Sequence, residues 1–408
     1  MAAVAVATRR QPDISYTPNF EKYQARVKRR LETESLAAKG LPAGFPRQVT
    51  SDLVWEGDSV GNHYDWNFVL SPEHVLELEQ ALAHFKSLNR PLGYVDQESF
   101  PLPTLHSALR DISRELHLGH GFKVVRGVPV AQHSRQDNII LYAGISSHIA
   151  PLRARQDSSF DGKSADVVLA HIKDLSTTKD AADIGAPAYT TDKQVFHTDT
   201  GDIVSLFALS TAAEGGKSRL ASTWRVYNEL AATRPDLIET LSEDWFAENF
   251  GNAEQPYTAR PLLFYQPGTS ESPQRLILQY ARRVFTGFGA LPRSATVPPI
   301  TEAQAEALDA VHFLGQRFNV ELDFRQGDIQ YVNNLAVFHA RDGFKDTPEQ
   351  QRHLVRLWLR DPEYAWETPS ALKPKWEQLY KGVIADRQVF PLEPYVRSAS
   401  NGSSKANQ

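Results

Sequence analysis

Two histidine–aspartate pairs stand two positions apart in this 408-residue chain: His63 and Asp65 in HYD, and His197 and Asp199 in HTD. A histidine and a carboxylate so spaced can share a divalent metal, but a chain this long holds on the order of one such pair by accident. Partners elsewhere must decide between them. A metal that keeps positions open for reactants, as non-haem iron does, wants a second histidine beside the pair: two His and one carboxylate on one face. Thirteen histidines compete for that place. His74, His84, His106, His117 and His312 fall within helical patterns, and His133 and His171 near strand ends or turns, where packing explains them. His339 stands apart. It ends the stretch GDIQYVNNLAVFH and is followed by QRHLVRLWLRD, where Arg352 and Arg356 interrupt an apolar strand pattern. Residues four apart on a strand share a face, and an enclosed guanidinium is costly unless an anion meets it. The two arginines therefore read as inward anion sites; the competing reading puts them on the outer, solvated face.

The elements that must position these groups change character along the chain. SPEHVLELEQALAHFKSL has Ser71 as N-cap and Pro72 at the first helical position. TLHSALRDISRELHLG repeats the helical spacing and stops at Gly119, expected as a left-handed glycine stop. GFKVVRGVPV predicts a strand from 121. After about residue 165 come short runs rich in β-branched and aromatic residues: ADVVLAHI, IVSLFALS, QRLILQYA, DIQYVNNLAVFH and HLVRLWLRD. Helices interrupt them at TWRVYNELAATRPDLIETL and at TEAQAEALDAVHFLGQRF, the second opening with a Thr301/Gln304 capping box. With no regular βαβ alternation, this is a mainly β fold with surrounding helices, and a double-stranded β-helix (jelly-roll) core over about 120–362 is the expected architecture. The expected organisation is an N-terminal arm with a helix (1–45), one domain with a helical N-terminal section (46–397) and a disordered tail (398–408).

Composition narrows the chemistry. The absence of cysteine excludes disulfides, zinc–thiolate sites, iron–sulfur clusters and a thiol nucleophile. Net charge is −5 with both signs mixed, and the basic run RVKRR at 26–30 sits among acids, which reads as a solvated helix face and not as a nucleic-acid or membrane patch. No apolar run approaches the ~20 residues of a membrane span. A cytoplasmic protein with no nucleic-acid or membrane partner is expected, and a homo-oligomer is compatible with the sequence.

Taken in order, His197-Thr-Asp199, GGKSRLAS, GDIQYVNNLAVFH and QRHLVRLWLRD resemble the Fe(II)/2-oxoglutarate-dependent oxygenases of the taurine dioxygenase and clavaminate synthase-like superfamily, from about 120 to 362. The resemblance implies that His197, Asp199 and His339 hold Fe(II), that Arg352 binds the far carboxylate of 2-oxoglutarate, and that Arg356 holds the acidic group of the prime substrate. It also implies a contact from Ser218 to the 2-oxoglutarate carboxylate, at a position where the family often has Thr. Dioxygen would be reduced as 2-oxoglutarate is decarboxylated to succinate, with oxidation of an unactivated C–H bond; hydroxylation is the default, and desaturation or cyclisation use the same chemistry. Asp199 argues for oxygenation over chlorination, because related halogenases lack that carboxylate. The expected substrate is a small acid such as an amino acid, a carboxylate or a sulfonate, with a purine as an alternative. Competing classes are a metal-binding barrel that senses a ligand without turnover and a zinc hydrolase, for which no general-base motif is found. HYDW is expected to be a packing or turn element. Asn333 and Asn334 could orient ligands, Arg282 and Arg283 could add to the pocket, and Tyr189, Phe196, Phe338 and Phe344 could wall it.

Overall fold

The computed structural model describes residues 10–36, 39–270, 272–289 and 291–398; apart from Ser398, the expected tail lies outside them. The N-terminal third is helical as the periodicity requires: α1 (Phe20–Thr33), α2 (Pro72–Ser87), α3 (Leu105–Leu118) and α4 (Arg135–Ile149). Strands β1 (Asn67–Val69), β2 (Phe122–Arg126) and β3 (Leu152–Arg153) run between and after them. Beyond these lie β4 (Lys163–Val167), β5 (Leu169–Lys173), β6 (Gln194–His197), β7 (Ile203–Ser210) and β8 (Ser218–Ser222). Helices α5 (Thr223–Thr233), α6 (Pro235–Ser242) and α7 (Glu302–Phe318) precede β9 (Val320–Leu322), β10 (Ile329–Asn333), β11 (Val337–Arg341), β12 (His353–Arg360) and β13 (Gln388–Val389).

Among the described residues, seven strands form one sheet in the order β1-β2-β10-β7-β12-β3, with β5 also pairing β12, and four form a second in the order β9-β8-β11-β6. Every pairing in the two sheets is antiparallel except β1 with β2. The outward residues Val355, Leu357 and Leu359 of β12 pack with Leu169, Phe207 and the α4 residues Ile139, Ile140 and Tyr142. This leaves Arg352, Leu354, Arg356 and Trp358 on the opposite face, between the sheets.

Several local expectations change. DIQYVNNLAVFH is two strands, not one: the chain turns at residues 334–336, so that β10 joins the large sheet and β11 the small one. ADVVLAHI breaks at Val168 into β4 and β5. TWRVYNELAATRPDLIETL breaks at Arg234, because a residue before proline is pushed out of helical geometry. Helix α3 stops at Gly119, but with φ −101°; the left-handed glycine is Gly121, φ +83°. The Thr301/Gln304 capping box is present.

Two arginines of the basic run of α1 reverse the expectation. Arg26 and Arg30 are each only 4% exposed. Arg26 donates to Asp309 at 2.7 Å and Glu302 at 2.9 Å, and Arg30 to Glu306 at 2.7 Å and Glu34 at 2.9 Å. These acids lie mostly on α7, so Arg26 and Arg30 form a buried ionic seam between α1 and α7, while Lys28 and Arg29 of the same run stay on the solvated face. Among the described residues, no helix is long and apolar enough to cross a membrane.

Candidate metal and anion site

The two sheets bring His197, Asp199 and His339 together. His197 ends β6 and is the direct cross-strand partner of His339 on β11, with ring centroids 4.1 Å apart. One Asp199 oxygen lies 3.7 Å from His197 Nε2 and the other 3.9 Å from His339 Nε2. One ligand atom from each residue lies within 4.8 Å of the others, a spacing one metal ion can bridge. Asp199 does not share a strand with His197, as same-face spacing would have it; β6 has already ended. Its backbone is held instead from the turn between the sheets. Asp199 N–H donates to Asn334 Oδ1 at 2.7 Å, while Asn334 Nδ2 donates to the Asp199 carbonyl at 2.7 Å and to Gly201 O at 2.8 Å. Asn333, by contrast, turns away to Leu116 O.

The protonation states suit metal ligation. His197 Nδ1 lies 2.8 Å from the Val195 carbonyl, which fixes Nδ1–H and makes Nε2 the acceptor; Gln194 Nε2 lies 3.0 Å from it, and a metal there must displace that amide. Burial lowers the His197 pKa, and burial together with His197 lowers that of His339 to about 3. Both imidazoles are therefore neutral at neutral pH. Burial alone would raise Asp199, but the Arg356 guanidinium and the two histidines outweigh it and hold the carboxyl well below its ordinary range. Oδ2 of Asp199 accepts from Arg356 Nη1 at 2.6 Å and from Trp358 Nε1 at 3.0 Å. With Oδ2 committed twice, Oδ1 is the oxygen left for a metal.

A pocket opens beside this cluster, with about 490 Å³ of empty space including its mouth. Asp199, His339, Ser218, Arg341, Arg352 and Arg356 supply its polar wall, and Ile172, Leu206, Phe324 and Leu354 much of its apolar one. Arg352 and Arg356 are 6% and 5% exposed, so the outer-face reading of these arginines fails. Arg352 has no carboxylate in salt-bridge contact among the described residues, and its Nη1 is buried without a partner. Burial and the neighbouring Arg341 push its pKa well below the usual guanidinium value. Phe344 lies 5.5 Å under it. Gly216 packs against its stem: a Cβ there would sit 3.2 Å from Arg352 Cδ, at a backbone φ of +69°. Ser218 lines the same pocket, with its hydroxyl donated to Gln330 at 2.7 Å; to donate to a ligand it must trade that bond.

Arg356 differs from the expectation in one respect. An enclosed guanidinium was to need a ligand anion, but the protein supplies one in Asp199. Arg356 Nε donates to Gln156 at 2.9 Å, and only Nη2 is buried without a partner. Of the other candidates, Arg282 donates to Asp309 and to Ser15 O, within the seam under α1, while Phe196 and Phe338 belong to the main core. Asp65 accepts from Asn67 N–H at 2.9 Å and turns the chain into β1, so HYDW is a turn element. Trp358 and Gln156 went unnoticed in the sequence. A tryptophan in an apolar strand looks like core, and its inward phase, two residues after Arg356, was the one available signal.

Known proteins resemble this chain in sequence and in fold. Residues 88–358 match the family model described as "Taurine catabolism dioxygenase TauD, TfdA family". The taurine hydroxylase-like protein SAT17 of Stachybotrys chartarum is 36% identical over 362 residues, covering 86% of this chain and 90% of that protein. Asparagine oxygenase, solved with Fe(II), 2S,3S-3-hydroxyasparagine and succinate, superposes with a TM-score of 0.51 at 15% identity, over 72% of this chain and 94% of that one. The non-haem iron oxygenase OrfP, solved with Fe and alpha-ketoglutaric acid, gives 0.51 at 14% identity, over 80% and 99%.

Proposed function

This chain belongs to the taurine catabolism dioxygenase TauD, TfdA family, and on that premise we propose that it is an Fe(II)- and 2-oxoglutarate-dependent dioxygenase oxidising an unactivated C–H bond of a small acid. The observation that carries this reading is the convergence, in one pocket, of a neutral His197/His339 pair, the Asp199 carboxylate and a buried arginine with no anion of its own. The donor set suits ferrous iron, since two imidazoles and one carboxylate leave positions open for a chelating cosubstrate and dioxygen. The paired sheets are read as the double-stranded β-helix that presents such a set.

Bound iron would activate dioxygen, the oxidant, with 2-oxoglutarate giving up carbon dioxide and taking one oxygen atom to become succinate while the other oxygen atom goes to the substrate. The chain's own residues do the rest. His197 and His339 offer Nε2, and Asp199 offers Oδ1 while Arg356 and Trp358 hold Oδ2. Arg352 grips the far carboxylate of 2-oxoglutarate, which turns a buried, unpaired cation into a paired one. Ser218 adds a hydroxyl beside it. Arg356 Nη2 takes the acid of the prime substrate without releasing Asp199. The apolar wall of Ile172, Leu206, Phe324 and Leu354 limits bulk water at the reacting centre. Hydroxylation is the expected outcome.

The test is succinate formation from 2-oxoglutarate under air with Fe(II), run over a panel of amino acids, carboxylates and sulfonates. Stimulation by at least one acid, lost in His197→Ala, supports the reading; no succinate with metal-loaded protein across the panel contradicts it.

A further inference from the structure

The chain continues well past the family match, which ends at residue 358, and returns to the site. Strand β13 pairs in parallel with β4. His171 Nε2 lies 2.7 Å from the Pro391 carbonyl. Ser398 N–H donates to Asp157 at 2.8 Å, and the Ser398 hydroxyl bonds the same carboxylate. These three anchors deliver Arg397 to the Trp358 side of Arg356, behind the pocket, where it is 8% exposed. Its Nη1 donates to the Gln156 carbonyl at 3.1 Å and its Nε to the Tyr189 hydroxyl at 3.1 Å. It has no carboxylate in salt-bridge contact among the described residues.

Arg397 and Arg356 are built as a pair. Gln156 holds both, accepting from Arg356 through its side chain and from Arg397 through its backbone. Both lie against the Trp358 indole, Arg356 at 4.7 Å and Arg397 at 5.5 Å from the ring centre. Both feel the charge of Asp199, which raises the affinity of each for its proton. The charge count is then uneven. Arg341, Arg352, Arg356 and Arg397 gather about the site, and among the described residues Asp199 is the one carboxylate in salt-bridge contact with any of them, with Asp346 acting on Arg341 and Arg352 from farther off. A ferrous ion and 2-oxoglutarate would add two charges of each sign and cancel, so the loaded site keeps a positive surplus. Buried surplus charge is costly unless a ligand answers it.

We propose that Arg397, carried on the C-terminal arm, is a specificity-determining residue that acts with Arg356 to select prime substrates bearing two negative charges, on two acid groups or on one dianionic group. This deepens the proposed function and rests on it. Arg397 supplies the second guanidinium of a two-point anion site, and residues beyond the family's matched segment set the substrate's charge.

The test uses the full-length protein, loaded anaerobically with Fe(II) and 2-oxoglutarate, in calorimetric titrations with two matched pairs: L-asparagine against L-aspartate, and L-serine against O-phospho-L-serine. Within each pair the members differ mainly in negative charge, and the two pairs separate a diacid from a dianionic headgroup. The wild type is expected to bind the more charged member of at least one pair about tenfold or more tightly, the scale of one charge-assisted contact. Arg397→Met should bring that preference to within about twofold, and Arg397→Lys should keep part of it. The arm's other anchors remain, so both variants should stay folded by circular dichroism and keep the iron–2-oxoglutarate charge-transfer absorption. If the wild type shows that absorption but prefers neither charged member, or Arg397→Met keeps the preference, the inference about Arg397 is overturned and the proposed function stands. If the absorption never forms, the proposed function falls and this inference with it.

Discussion

Replacing Arg352 with methionine separates a ligand clamp from a structural cation, because the two roles predict opposite signs. The guanidinium is 6% exposed, has an unpartnered Nη1, and meets like charge in Arg341. In the ligand-free protein it is a desolvation cost that no carboxylate in salt-bridge contact offsets among the described residues, Asp346 acting only from farther off. Methionine keeps most of the stem's volume while removing the charge, and relieving a buried charge of this kind stabilises by on the order of 1–3 kcal/mol. In the loaded protein the balance reverses. Two charge-assisted hydrogen bonds to a carboxylate are worth roughly 1.5–3 kcal/mol each, so 2-oxoglutarate affinity should fall by about a hundredfold or more. Thermal unfolding reads both effects. In chelator, Arg352→Met should melt at or above the wild-type temperature. With Fe(II) and excess 2-oxoglutarate under anaerobic conditions, the wild type should gain stability by ligand linkage and the variant should gain far less. A ligand-free variant destabilised by about 3–5 kcal/mol, the cost of breaking a true buried pair, would refute the reasoning, as would an unchanged 2-oxoglutarate shift.

His197→Ala and His339→Ala should each abolish stoichiometric Fe(II) binding, read by anaerobic titration. Trp358→Phe removes one of the two donors on Asp199 Oδ2 and should weaken iron binding about tenfold or more, with folding intact by circular dichroism. Asn334→Ala frees the Asp199 backbone and should cost about 1–3 kcal/mol of stability, with a parallel loss of iron affinity. The buried His171/His353 pair, Nδ1 to Nε2 at 2.8 Å, gives an acid limb. Burial lowers His171 to about 4, and burial and His171 lower His353. Both then sit below the unfolded value of about 6.5, so the unfolded chain takes up more protons as pH falls. Stability should be complete above about pH 6.5 and decline from there towards pH 4; melting temperature against pH should show a shallower decline in His171→Gln.

The legible parts of the site were those written in local periodicity. Alternation along QRHLVRLWLRD put Arg352 and Arg356 on one face, and their burial follows from that phase once α4 covers the other side. Local pattern marked His197 and His339 as types, and the family resemblance put them on one metal, but their direct pairing across two strands was not legible. Their cross-strand register depends on the turn at Asn334, which moves the chain between sheets, and an unbroken apolar run concealed it. Asp199 was located for the wrong reason, since Asn334 and not strand phase holds it. Arg26 and Arg30 were misread because the acids that bury them lie 283 and 276 residues away on α7, beyond any window of charge patterning. Gln156 and Arg397 carried no signal, because their meaning lies wholly in long-range contacts. Arg234-Pro235 was readable and overlooked: the restriction before proline marks the break between α5 and α6.

The account's central claim is tested most directly by a crystal structure of the anaerobic protein with Fe(II) and 2-oxoglutarate, using anomalous scattering to place the metal. It predicts one iron ligated by Nε2 of His197, Nε2 of His339 and Oδ1 of Asp199, with the distal carboxylate of 2-oxoglutarate on Arg352. Iron bound by other side chains, or 2-oxoglutarate seated with Arg352 still unpaired, would contradict it.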